Sequence, residues 1–160
     1  MIPLAAMTKR PAGNPMLASL YAGVFTAIIA YAAVFFLQSD QLILFVVALL
    51  LTGIGPVIGY GLASGHMGVS IPGMIGGIIG SIPVISVILW PILVGALTKT
   101  QSVGKLLVGS IIGAILGLAV FFLMASMMGQ DPSWFGAGFI LLLAVWGGAC
   151  GAIMTAWAKA

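Results

Sequence analysis

Long apolar runs separated by short polar interruptions make up nearly the whole chain. Met16 to Leu37 is 22 residues without a charge, closed by the polar turn Gln38-Ser39-Asp40-Gln41. Leu42 to about Ala63 begins smooth, as LILFVVALLL, and ends glycine-rich around Pro56, as TGIGPVIGYGL. Ser64 to Ser70 reads as a loop. Ile71 to Leu97 is 27 residues without a charge and contains Pro72, Pro83 and Pro91. After the polar loop TKTQSVGK come Leu106 to Met128, the turn GQDPS, and Trp134 to Trp157. A run of about 18 or more apolar residues has the length to cross a bilayer. The pattern therefore predicts an all-α integral membrane protein, a small polytopic bundle of five elements at about 16–37, 42–63, 71–97, 106–128 and 134–157. Connections of four or five residues make the flanking helices antiparallel neighbours.

Residues 1–15 form a short basic tail, with Lys9 and Arg10 before the first run and Pro11, Gly13 and Pro15 opposing helix. A charged start followed by an apolar run resembles a signal peptide. Twenty-two residues exceed a signal core of about 7–15, so the run is expected to be a retained helix. From residue 16 onward the chain reads as one bundle.

The central element decides the topology. If Ile71–Leu97 crosses once there are five spans, with Lys9 and Arg10 on one side and Lys99, Lys105 and Lys159 on the other. If it dips in and returns near Pro83 there are four, with all five basic residues on one side and Asp40 and Asp131 on the other. Charge counting favours the second arrangement. The rarity of non-helical backbone at membrane depth favours the first, and five spans is the expectation adopted. A shift of 86 superposes Leu20, Gly23, Ile29 and Ala33–Leu37 on Leu106, Gly109, Ile115 and Ala119–Leu123, eight identities in eighteen positions. A repeat of 16–63 in 105–157 would place a hairpin on each side of the central element.

Composition agrees with a lipid-facing surface. The chain is 62% hydrophobic and 4% charged, against about 25% charged in soluble domains. The net charge of +3 is too small and scattered for nucleic acid. It suits a multi-pass protein of a cell membrane with the basic N-terminus cytoplasmic. Cys150 is the single cysteine and reads as a small buried hydrophobe.

Candidate chemistry is sparse. Asp40 and Asp131 are the only acids, and both lie in turns. There is no paired carboxylate, no nucleophile–base set and no metal-ligand cluster, so the chain is expected not to be an enzyme. His66 is a weak candidate ligand, for a haem or chlorin metal. A loop histidine hydrogen-bonded at the interface explains it as well. The glycines form helix-packing stripes: Gly73 with Gly77 and Gly76 with Gly80 in overlapping G-x-x-x-G pairs, and Gly109, Gly113 and Gly117 on one face of the fourth element. The repeat points to the first helix as partner of that last stripe, with Leu116, Val120 and Leu123 left toward lipid. Trp90, Trp134 and Trp157 read as interfacial anchors, and mid-span Trp146 as facing the bundle or a partner.

Two functions follow as expectations. The first is a non-catalytic subunit of a larger membrane complex, associating with other integral membrane subunits, with itself and with membrane lipids. No cofactor is predicted, though glycine faces admit a bound lipid or pigment. The second is a small homo-oligomeric transporter or channel for a neutral or weakly polar solute, since no buried charge exists to hold an ion.

Overall fold

The computed structural model describes residues 14–64, 67–82, 85–98, 102–128 and 134–156, and every regular element among them is helical. The helices are α1 Pro15–Gln38, α2 Leu42–Leu51, α3 Ile54–Ser64, α4 Met67–Gly80, α5 Ser86–Leu97, α6 Val103–Met128 and α7 Trp134–Ala156. Four stretches are long and apolar enough to cross a membrane: Pro15–Gln38, Leu42–Ser64, Val103–Met128 and Phe135–Ala156. His66, Lys9, Arg10, Lys99, Asp131, Trp157 and Lys159 lie outside the described residues.

α1 starts where a cap and a proline coincide. Asn14 Oδ1 accepts from the Met16 N–H at 3.0 Å, and Pro15 fills the first helical position, where no N–H is needed. It ends in a tight turn, with the Ser39 N–H donating to Phe35 O and the Gln41 N–H to Phe36 O. Asp40 takes φ 58°, a left-handed position that aspartate tolerates better than branched residues do. The turn sends the chain back antiparallel.

The return stretch is broken at Thr52–Gly53. Pro56 has no N–H for the Thr52 carbonyl, and the Gly55 N–H takes that carbonyl instead at 3.2 Å. The two halves differ as their sequences do. In α2 only Ala48 is buried, whereas α3 buries Gly55, Pro56, Val57, Gly59, Tyr60 and Gly61.

The central stretch is not one continuous helix. It is a hairpin of α4, 14 residues, and α5, 12 residues. At a rise of about 1.5 Å per residue these are about 21 and 18 Å long, short of a hydrocarbon core of about 30 Å. The helices run antiparallel, with Gly73 against Thr98, Gly76 against Leu93 and Leu97, and Gly80 against Trp90. Helix begins at Met67, so the loop expected over Ser64–Ser70 is shorter than its polarity suggests. α4 also runs back along α3, placing Gly73 beside Val57, and Gly77 and Ser81 beside Gly53. Gly53 is the midpoint of Leu42–Ser64, so the hairpin tip reaches only halfway along its neighbours.

Small residues make the seams. α1 buries Ala18, Ala22, Thr26, Ala30 and Ala33, spaced three or four apart, so they share one face. That face meets Gly55 and Gly59 of α3, and Gly147 and Gly151 of α7. α7 also packs along α6 and against α3. Large apolar side chains such as Ile28, Phe35, Ile43, Ile115 and Phe122 are exposed, while small residues and hydroxyls lie inside. A water-soluble bundle would be the other way round.

Candidate functional site: a cleft above the hairpin tip

The hairpin is pinned by two indoles and a serine. Trp90 of α5 is fully buried, and its Nε1–H donates to Gly53 O at 2.8 Å, across the break between α2 and α3. The Trp146 ring of α7 stands edge-on to Trp90, with centroids 5.4 Å apart. Its Nε1–H donates to Ser110 Oγ of α6 at 3.0 Å, and the Ser110 hydroxyl donates to Val87 O of α5 at 2.8 Å. These bonds join α7 to α6 to α5, and α5 to the broken helix. Around them pack Val57, Tyr60, Val94, Leu106, Cys150 and Met154.

Because the hairpin stops halfway, the other half of the bundle lacks a filling element. There a cleft of about 450 Å³ opens. Its walls are Phe45 and Leu49 of α2, Ala114 and Leu118 of α6, and Phe139, Leu142 and Leu143 of α7; Trp146 and Val87 lie deeper. Its hydroxyls are Thr52 at the helix break and Ser81 and Ser86 at the hairpin tip. Thr52 and Ser81 are each 4% exposed, and donate to Leu49 O at 2.5 Å and Gly77 O at 2.6 Å. Among the described residues, no charged one lines the cleft. It has the size and mainly apolar lining of a small-molecule site.

The seven packing glycines all face other elements. Gly73, Gly76, Gly77 and Gly80 hold α4 against α3 and α5. Gly109, Gly113 and Gly117 face Ile153, Ala149 with Trp146, and Leu142, all on α7. The partner expected from the repeat, α1, is therefore replaced by α7. Gly23 of α1 instead faces Ala144 and Gly148 of α7, and Tyr31 is exposed. Leu116 and Leu123 are exposed as expected; Val120 is half-buried. Trp90, read as an interfacial anchor, is a core residue whose N–H is taken by the Gly53 carbonyl. His66 lies outside the described residues, and these contain no group of three potential metal-ligating side chains.

Reading the sequence for charged or metal-binding groups passes over Thr52, Ser81 and Ser110. A signal exists for two of them: Thr52 directly precedes a glycine–proline break, and Ser110 is a hydroxyl set beside a glycine stripe. A second, shallower groove of about 600 Å³ lies on the outside of α7 between α1 and α6, floored by Gly23, Ala144, Gly148 and Ala149. No family model, curated protein or solved structure matches the chain.

Proposed function

We propose that this is a multi-pass protein of a cell membrane with four crossings and a re-entrant central hairpin, acting as a small carrier for a neutral solute. The observation that carries the reading is the charge-free cleft ending halfway along the bundle, on a broken helix and a hairpin tip. Carriers place their sites near the bilayer midplane at interrupted helices, where backbone irregularity is sheltered by protein. In this topology the N-terminal tail, the α5–α6 connection and the C-terminus share the cytoplasmic side, which then holds all five basic residues, while both aspartates lie opposite. No acid–base or metal chemistry is assigned to the cleft. Flux into proteoliposomes tests the reading. At least one neutral solute should enter faster than into empty vesicles, and Ala114→Trp, which fills the cleft, should return the rate to background. A panel of neutral solutes with no flux above background would remove the carrier role.

The outer groove favours a second reading, a non-catalytic subunit of a larger membrane complex. Its floor is made of small residues, which allow another helix, or a second copy of this chain, to approach closely. Against it, the glycine stripes on α4 and α6 already meet helices of this chain. Purification in mild detergent separates the readings: a stable co-purifying membrane protein supports the subunit, and a lone chain with solute flux supports the carrier.

A further inference from the structure

We infer that the cleft takes a lipid-soluble alcohol, a long apolar molecule ending in one neutral hydroxyl, seated with that hydroxyl against Thr52 and Ser81. The inference rests on reading the cleft as a ligand site and deepens it to a ligand class. Three features of the site set that class.

The first is charge. No lining residue among those described is charged, and among α1–α7 only Lys105, exposed in the first turn of α6, carries a charge. An ionic headgroup halfway along the bundle would have no counter-charge, which is costly in a low-dielectric site.

The second is hydrogen-bonding direction. Thr52 and Ser81 already donate their protons to Leu49 O and Gly77 O, so their oxygens have only acceptor capacity left. The Ser86 hydroxyl also lines the cleft. The Trp146 N–H is taken by Ser110. A ligand head must therefore donate a proton to the Thr52 or Ser81 oxygen, as an alcohol can. An ether or ester carbonyl only accepts, and leaves the Thr52 and Ser81 oxygens without a proton.

The third is access. α2 packs along α1 and touches α4, but forms no packed seam with α6 or α7. The side of the cleft between Leu49 and Leu118 is thus not closed by a helix contact, and a molecule dissolved in the bilayer has a sideways entry. The apolar walls lie along that entry and the hydroxyls at its inner end.

Trp146 lines the cleft and reports occupancy, because bromine quenches indole fluorescence on contact. The probes are 2-bromododecan-1-ol, its methyl ether and 2-bromododecane, which carry bromine next to the head, each titrated over the same range of mole fraction in nanodiscs holding the full chain. The alcohol should quench at about fivefold lower mole fraction than the ether, the ratio expected for one hydrogen bond of about 1 kcal/mol. Trp146→Phe should abolish this difference. Thr52→Val combined with Ser81→Ala should also abolish it, while Thr52→Ser, which keeps the hydroxyl, should preserve it; thermal melts establish that each variant is folded. Equal quenching by alcohol and ether, or a preference that survives loss of both hydroxyls in a folded variant, overturns the inference. Solute flux without an alcohol preference overturns it and leaves the carrier reading in place. An alcohol preference without flux supports it and removes the carrier reading.

Discussion

A single position, Gly53, holds the break, the hairpin and the cleft floor together. A Cβ added there would overlap Ser81 Oγ and the Gly77 carbonyl. The overlap with backbone cannot be relieved by a rotamer change. Gly53→Ala should therefore lower stability by about 2–3 kcal/mol, as overpacking of a close contact does. Gly104→Ala is the matched control, because nothing lies within 4 Å of its added Cβ. It should stay within about 1 kcal/mol of wild type, on the stabilising side, through helix propensity. Thermal melts in detergent compare the two; equal melting temperatures would show that the Gly53 contact is not needed. Which glycines matter was only partly legible in the sequence. Spacing brings out stripes, but it cannot rank Gly53 above Gly104, because the distinction lies in a partner 24 residues away. Trp90 shows the same limit. Beside Pro91, near the end of an apolar run, it reads as an anchor, and only the fold places a carbonyl next to its N–H.

Among the elements, the four long helices were legible because each is a long apolar run set off by polar residues, such as Gln38-Ser39-Asp40-Gln41 after α1 and GQDPS before α7. The central stretch was legible only as two alternatives, a single crossing by 27 uncharged residues or a dip and return near Pro83, and the first was the expectation adopted. What favours the hairpin is local. The chain leaves the helix after Gly80, and the glycine face of α4 meets α5, Gly76 on Leu93 and Gly80 on Trp90. The α6 stripe was recognisable as a packing face, but its partner was not. Pairing by the repeat pointed to α1, whereas the short connection to α7 makes that neighbour the easier one to reach. Gly113→Leu should lower the melting temperature strongly, because a Cβ there already lies 2.9 Å from Ala149 Cβ and 3.2 Å from Trp146 O. Leu116→Ala, at an exposed position, should cost under about 1 kcal/mol. Similar melts for the two variants would mean that the α6–α7 seam does not hold the bundle.

The molecule as a whole is a bundle with one half filled by a hairpin and the other half left as a cleft. The candidate site was illegible in the sequence for a physical reason: it consists of an absence of side chains between α2, α6 and α7, edged by hydroxyls on three separate elements. Everything proposed for it depends on the hairpin entering and leaving on the same side, so that its tip lies halfway through the bilayer. Cysteine accessibility in sealed vesicles measures this directly. In a Cys150→Ala background, single cysteines at Asn14, Ser102 and Ala156 should react with an impermeant maleimide from one side, and a cysteine at Ser39 from the other. Labelling of Asn14 and Ser102 from opposite sides would mean that the central stretch crosses the membrane once, and would contradict the half-depth hairpin and the cleft site built on it.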